Sequence, residues 1–439
     1  MKKVFNMGLL MALVILLFSG CGISSVSDLY SPPKRSEEYT NMQSLIQSTM
    51  SDAEYSAPVS GDNQQTVQAV DLNGDGKDEY LLFAKDNSDK PLKIFVFSGE
   101  GKNYKLLDVI AGTGSIHDRV EYIQMDDKPG YEIVIGRLVS DQVVRSVSVY
   151  TLNGDEMEQV MTANYTEFIC CDLDGNGYSD LLIFRPGESG PGIAVRYSFR
   201  NGILDRSQEI SMSEQSENIK RIMYGYLQDG TRAVYVASAV SGSDKIITDV
   251  FTATTSQLKN VSFSTEAGTS VQTLRNYYVY ADDVDDDGVL ELPWLINMIS
   301  TGENTQVTNQ HIIRWYAMNS DGSVVNKKYT YHNFVGGWYL ELDDAIAERI
   351  TVEQRGSSYV FLLWNEERTE NQSLLTIYVL TGQKREEQAI KDNRFILLRG
   401  ESTIYSASLD VVSAEYNMAQ DKLIAAFHLI LQDWKTGET

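Results

Sequence analysis

The chain has 439 residues, of which 61 are acidic and 37 are basic, so its formal net charge is −24. An apolar share of 42% is enough for a large core and excludes a globally disordered chain. The negative charge argues against nucleic-acid binding, which needs a cationic surface, and it favours the binding of cations.

The first twenty residues have the pattern of an export signal. Lys2 and Lys3 precede an apolar run from Gly8 to Phe18, which is too short to span a bilayer. The small residues of "FSGC" lead into Cys21, and this stretch resembles the lipobox of bacterial lipoproteins. The resemblance implies a signal peptide over 1–20, a lipid on Cys21 and a place in the bacterial cell envelope, outside the cytoplasm. The alternatives are an ordinary signal peptide and an uncleaved anchor.

Two short segments follow the lipobox. Residues 21–35 are polar and contain Pro32 and Pro33, which predicts a flexible tether to the membrane. Residues 36–52 predict an amphipathic helix that begins at Ser36 as its N-cap. Its apolar residues fall at helical spacing on one face, namely Tyr39, Met42, Leu45, Ile46 and Met50.

From residue 53 onward, short apolar runs alternate with Gly, Asp, Asn and Ser clusters, a pattern typical of strands and turns. One segment repeats: "AVDLNGDGKDEYLLF" (69–83) aligns with "CCDLDGNGYSDLLIF" (170–184) and "DDVDDDGVLELPWLI" (282–296). Degenerate copies lie midway between them, "YIQMDDKPGYEIVIG" at 122–136 and "IMYGYLQDGTRAVYV" at 222–236. Five repeat units can therefore be recognised.

The units begin near residues 66, 119, 167, 219 and 277, and each contains about four strand-like runs. Four strands per repeat of this length are typical of β-propeller blades. We predict an all-β fold, a β-propeller of about five to seven four-stranded blades over residues 53–345. In residues 346–439 the acidic repeat stops, and we expect closing strands with a C-terminal helical segment, including helices over 383–393 and 413–434.

The acidic stretch in these repeats is not an EF-hand, although it begins like one. An EF-hand needs a glutamate at loop position 12 and flanking helices. Leu82, Ile183 and Trp294 occupy that position in the three full copies, within strand-like runs. The spacing instead resembles the FG-GAP or VCBS repeat, the calcium-binding loop of integrin α-subunit propellers and of many bacterial surface proteins.

The resemblance implies that loop positions 1, 3, 5 and 9 supply side-chain oxygens to calcium and that position 7 supplies a backbone carbonyl. The implied ligands are Asp71, Asn73, Asp75, Lys77 and Glu79; Asp172, Asp174, Asn176, Tyr178 and Asp180; and Asp283, Asp285, Asp287, Val289 and Glu291. Six to eight hard oxygens are what calcium prefers. We therefore expect about three structural calcium ions, and none in the degenerate copies. The alternative is a solvated acidic turn.

No motif of a known catalytic class is present. The four histidines are far apart, and the chain lacks HExxH, nucleophile-elbow and Walker patterns. The leading hypothesis is a non-catalytic surface lipoprotein whose calcium-stabilised propeller binds or scaffolds an envelope or extracellular protein or glycan. The alternative is a carbohydrate-active enzyme built on the propeller, because acidic pairs for glycoside hydrolysis can be drawn from so acidic a chain.

Overall fold

A computed structural model of the protein describes residues 37–50, 52–100, 103–139, 145–200, 202–276, 279–299, 311–416 and 418–430. The predicted signal peptide, the tether and Cys21 lie outside these residues. The described chain contains six sheets, all built from antiparallel pairs. The fold is an all-β propeller, which confirms the prediction, and its sheets are the blades.

The first three blades follow one another along the chain. Blade 1 contains β1 (Glu54–Tyr55), β2 (Val67–Val70), β3 (Glu79–Lys85), β4 (Leu92–Glu100) and β5 (Asn103–Gly112). Blade 2 contains β6 (Ile116–Ile123), β7 (Glu132–Leu138), β8 (Arg145–Asn153) and β9 (Glu156–Tyr165). Blade 3 contains β10 (Glu167–Cys171), β11 (Asp180–Arg185), β12 (Ile193–Arg200), β13 (Ile203–Arg206) and β14 (Ile210–Ser211).

The last three blades include one strand from the far end of the chain. Blade 4 contains β15 (Ile219–Tyr226), β16 (Arg232–Ala239), β17 (Ile246–Ala253) and β18 (Leu258–Asn260). Blade 5 contains β19 (Leu292–Asn297), β20 (His311–Met318), β21 (Val324–Asn333), β22 (Trp338–Leu342) and β28 (Phe427–Leu429). Blade 6 contains β23 (Ile350–Arg355), β24 (Ser358–Trp364), β25 (Asn371–Thr381), β26 (Phe395–Arg399) and β27 (Thr403–Leu409).

Successive blades pack face to face because both faces of their inner strands are apolar. In β3, Leu81 and Phe83 enter the core shared with blade 2, whereas Leu82 and Ala84 point to the opposite side. A separate buried cluster fills each of the five junctions between consecutive blades. This stacking places the turns that precede β3, β7, β11, β16 and β19 at one end of the propeller.

A short helix covers the face of blade 1 that points away from blade 2. It is α1 (Glu37–Thr49), within the residues where the sequence predicts an amphipathic helix. Met42, Leu45 and Ile46 pack against Leu82 and Phe95 of the sheet. Among the described helices, none is long and apolar enough to cross a membrane.

The carboxy-terminal residues differ from the prediction in their helices. The helix expected over 383–393 is only α2 (Arg385–Ala389), followed by a 3-10 turn at Lys391–Asn393. The long helix predicted over 413–434 is wrong: a 3-10 turn at Val411–Tyr416, α3 (Gln420–Ala426) and β28 replace it in the described part.

Pairing of β28 with the edge of β22 explains why the helix stops. Phe427 pairs with Leu340, and its ring stacks on Trp338 with centroids 5.5 Å apart. An edge strand offers unpaired backbone groups, so tertiary pairing overrides the helical spacing of this segment.

Candidate metal loops at one end of the propeller

The three predicted acidic loops occupy equivalent places in blades 1, 3 and 5. The Asp71 loop (71–79) joins β2 to β3, and the Asp172 loop (172–180) joins β10 to β11. The Asp283 loop (283–291) leads into β19, where a single bridge between Asp282 and Glu291 stands in place of a first strand. The degenerate Gln124 loop (124–132) has the same place in blade 2.

Each acidic loop is a tight turn organised around its leading aspartate. Asp71 accepts hydrogen bonds from the N–H groups of Asp75 at 3.1 Å and Gly76 at 2.8 Å. Asp283 accepts the same two bonds, at 3.0 and 2.8 Å, from Asp287 and Gly288. Gly76 has a φ of +84°, a left-handed conformation that favours glycine at this position.

The Asp172 loop repeats this pattern with Asn176 and Gly177 as donors, at 3.1 and 2.9 Å. Because the leading carboxylate accepts these N–H groups, the chain folds back on itself and brings positions 1, 3 and 5 together. The turn geometry that the sequence predicts is therefore present in all three acidic loops.

The carboxylate at loop position 9 has a structural role that the sequence does not reveal. In four loops it is buried, and it accepts the backbone N–H of position 2. The four bonds are Leu72 to Glu79 at 3.0 Å, Met125 to Glu132 at 2.9 Å, Leu173 to Asp180 at 3.1 Å and Val284 to Glu291 at 3.0 Å. This bond closes the loop onto its own strand, whether or not the other acidic positions are kept.

Burial of these carboxylates makes their negative charge unfavourable. Loss of solvation raises the pKa of Glu79, and the nearby charges of Asp75 and Asp71 add to this effect. The pKa of Glu291 is raised to about 7, chiefly by burial and further by Asp285 and Asp287. A cation among these groups would reverse both effects.

The Asp283 loop has the side-chain arrangement of a cation site. One carboxylate oxygen from each of Asp283, Asp285 and Asp287 lies within 4.8 Å of the others. Glu291 Oε1 is buried without a hydrogen-bond partner. Lys327 Nζ lies 2.5 Å from Asp287 Oδ2, 3.7 Å from Asp285 Oδ2 and 3.9 Å from Glu291 Oε1. A positive charge thus already lies among these carboxylates, and the residues present fit a calcium ion.

The Asp71 loop carries its charge without a basic partner. In the part of the chain that the structure describes, Asp71, Asp75 and Glu79 form no ion pair, and the Asn73 side-chain amide donates to Glu79 Oε1 at 3.4 Å. Repulsion among three carboxylates without a counter-ion is costly. Among the described residues, however, only the Asp283 loop brings three carboxylate oxygens within 4.8 Å of one another, so a cation at the Asp71 loop stays a prediction. The backbone carbonyls of Lys77, Tyr178 and Val289 stay predictions.

The Asp172 loop differs because two arginines, absent from the sequence-based candidate set, bind its carboxylates. Arg196 Nη2 lies 2.6 Å from Asp174 Oδ2 and 2.8 Å from Asp180 Oδ1. Arg232 Nη1 donates to Asp172 Oδ2. The sequence does indicate one of these arginines. In the degenerate copy at 222–236, Arg232 aligns with Glu79, so position 9 carries the opposite charge.

The Gln124 loop lacks the acidic positions 1 and 5, as the sequence indicates. The side-chain amide of Gln124 donates to the carbonyl of Lys128 at 3.2 Å, and Lys128 Nζ lies 3.7 Å from Asp126 Oδ2. A hydrogen bond and an ammonium group therefore stand where the other loops place carboxylates.

No protein-family model matches the chain, and no curated protein is similar to it in sequence. Among solved structures, a protein from Lactobacillus plantarum aligns at 10% identity over 72% of this chain and 86% of its own, with a TM-score of 0.27. A rhamnogalacturonan lyase from Bacillus licheniformis aligns at 15% identity over 70% of this chain and 60% of its own, with a TM-score of 0.30.

TolB from Acinetobacter baumannii aligns at 11% identity over 78% of this chain and 70% of its own, with a TM-score of 0.23. Alignments this loose carry no information on substrate or activity.

Proposed function

We propose that this protein is a non-catalytic lipoprotein of the bacterial cell envelope. Its propeller, stabilised by calcium, is a platform that binds or scaffolds an envelope or extracellular partner. The observation that carries the proposal is the convergence of Asp283, Asp285 and Asp287 within 4.8 Å beside a buried oxygen of Glu291 that accepts no hydrogen bond. Three carboxylates at this spacing, with a fourth beside them, suit the oxygen coordination of calcium.

Calcium bound there would neutralise the acidic loops and hold the ends of neighbouring strands rigidly. Exported calcium modules need an affinity of only about 10⁻⁴–10⁻³ M. The test is a calcium titration of the EDTA-stripped protein, followed by calorimetry and thermal melting. We expect saturable heat and a higher melting temperature, with magnesium as the control. Unchanged heat and melting in millimolar calcium would contradict the proposal.

Exposed aromatic side chains near these loops favour a glycan as the partner. Tyr224, Tyr226 and Trp294 have 38%, 40% and 40% of their surface exposed and lie on β15 and β19, next to the loops of blades 4 and 5. The rings of Tyr224 and Tyr226 are 6.4 Å apart. Aromatic faces of this kind suit stacking on apolar ligand surfaces.

A glycan array probed with the protein, with and without calcium, tests this part of the proposal. We expect binding that is weakened by the change of Tyr226 and Trp294 to alanine and kept in a control change of the distant exposed Tyr55 to alanine. A set of proteins bound from envelope extract, with no glycan retained, would instead favour a protein partner. Release of cleaved glycan products would support the enzymatic alternative.

The lipid anchor at Cys21 is part of the same proposal and rests on the lipobox-like sequence. Cys21→Ser should release the protein from the membrane fraction, and globomycin should cause accumulation of the uncleaved precursor. Full membrane retention of the Cys21→Ser protein would count against lipidation.

A further inference from the structure

We propose that the Asp172 loop is not a calcium site but an ionic connection between blades 3 and 4, in which two arginines replace the metal. We call Arg196, Arg232 and the carboxylates they contact the arginine bridge. The count of calcium ions rests on the proposed function, whereas the connection between the blades does not.

The guanidinium groups already occupy the carboxylates that calcium would need. Arg196 binds Asp174 and Asp180, at positions 3 and 9, and Arg232 binds Asp172, at position 1. The remaining side-chain position is the neutral Asn176. The charge of this loop is therefore compensated from within the protein.

Burial makes Arg196 difficult to displace. Its side chain is 3% exposed, and those of Asp174 and Asp180 are 1% and 2% exposed. Arg196 Nη1 also donates to the carbonyl of Thr254 at 2.7 Å, which fixes the guanidinium from the side of blade 4. Calcium entry would leave a buried guanidinium without its anions, a strongly unfavourable state.

Lys327 at the Asp283 loop is a different case. Its own side chain is 14% exposed, and its partners Asp285 and Asp287 are 30% and 38% exposed, so these two ion pairs are open to solvent on the carboxylate side. A flexible four-carbon chain with a hydrated point charge can swing into solvent when calcium arrives. Calcium can therefore displace the ammonium group at the Asp283 loop, whereas it cannot displace the guanidinium groups at the Asp172 loop.

The arginine bridge also replaces a backbone link that is not found at this junction among the described residues. At three other junctions, the N–H of loop position 8 donates to the preceding loop or strand end: Tyr131 to Leu72 at 3.3 Å, Ser179 to Gln124 at 2.8 Å and Leu290 to Tyr226 at 3.1 Å. In blade 4 the equivalent Thr231 donates its N–H within its own turn, to Asp229. Arg232 and the Tyr224 hydroxyl, which donates to the carbonyl of Asp172 at 3.0 Å, make the contact instead.

The first test is calcium stoichiometry of the detergent-solubilised full chain, stripped with EDTA and measured by equilibrium dialysis. We expect two ions in the wild type, one each in Asp71→Ala and Asp283→Ala, and still two in Asp172→Ala. The double change Arg196→Met and Arg232→Met should raise the number to three. Three ions in the wild type and two in Asp172→Ala would overturn the proposal.

The second test needs no calcium and separates the bridge from the proposed function. In EDTA, Arg232→Met should lower the melting temperature by several degrees. The control is Arg206→Met on blade 3, whose arginine pairs with Glu209 at the surface. Equal melting temperatures for the two variants would overturn the bridge even if the protein binds no calcium at all. Because the Arg232 side chain is partly exposed and Arg196 stays in place, this variant leaves Asp174 and Asp180 paired and is expected to fold.

Discussion

The Asp71 and Gln124 loops lie side by side, yet only one has the composition of a metal site. Tyr131 of the Gln124 loop donates its N–H to the carbonyl of Leu72, and Gly130 packs so closely on Leu72 that a side chain there would collide with the backbone. Both loops keep the buried position-9 carboxylate bonded to the N–H of position 2. The difference teaches that position 9 supports the turn, whereas positions 1 and 5 decide its charge.

The largest loss of stability should come from removing the position-9 carboxylate, which both loops share. Glu132→Ala leaves the buried N–H of Met125 without an acceptor, which costs about 1–3 kcal/mol of unfolding free energy. The loss should be the same with calcium and with EDTA, because this loop lacks the acidic positions 1 and 5. Denaturant melts in both buffers measure it, with the exposed Asp127→Ala as the matched control. A loss seen only in calcium would show that the Gln124 loop binds metal after all.

An intermediate loss of stability should come from a change at position 1, where the two loops carry different residues. Asp71→Ala should remove one calcium ion and its stabilisation, about 1.4 kcal/mol when free calcium is about ten times the dissociation constant. Gln124→Ala, at the equivalent position, should leave the calcium response unchanged. Thermal melts across a calcium series measure both variants. An identical response in Asp71→Ala and the wild type would remove the Asp71 loop from the set of sites.

The smallest effect concerns an attempt to convert one loop into the other. The double change Gln124→Asp and Lys128→Asp restores the acidic pattern but should bind no calcium. Pro129 occupies position 6, where Gly76 donates its N–H to Asp71 with a positive φ, and proline has neither that N–H nor that conformation. Adding Pro129→Gly should create a weak additional site, detectable by dialysis. Binding by the double variant alone would show that the position-6 bond is dispensable.

The blade pattern could be predicted from the sequence because it depends on local features. Predicted unit starts near 66, 119, 167 and 219 lie within three residues of the starts of β2, β6, β10 and β15, at 67, 116, 167 and 219. Alternating apolar residues and glycine-bearing turns determine these positions through neighbours in the sequence. The unit expected near 277 has only the bridge at Asp282 before its loop, among the described residues.

The sequence could not predict the features that depend on residues far apart along the chain. Arg196 meets Asp174 and Asp180 from a different strand, and Arg232 reaches Asp172 across 60 residues of chain. The end of α3 depends on the free edge of β22, which no local pattern near Phe427 reveals. Both are consequences of tertiary pairing, which overrides local propensity.

The pairing of β28 with β22 has a consequence for the order of events after synthesis. Because Leu340 pairs with Phe427, blade 5 stays incomplete until Phe427 has been synthesised, after the intervening blade 6. During that interval the edge of β22 is open to pairing with other chains. A chain that ends before β28 should therefore be prone to association through this edge, although its first four blades are complete.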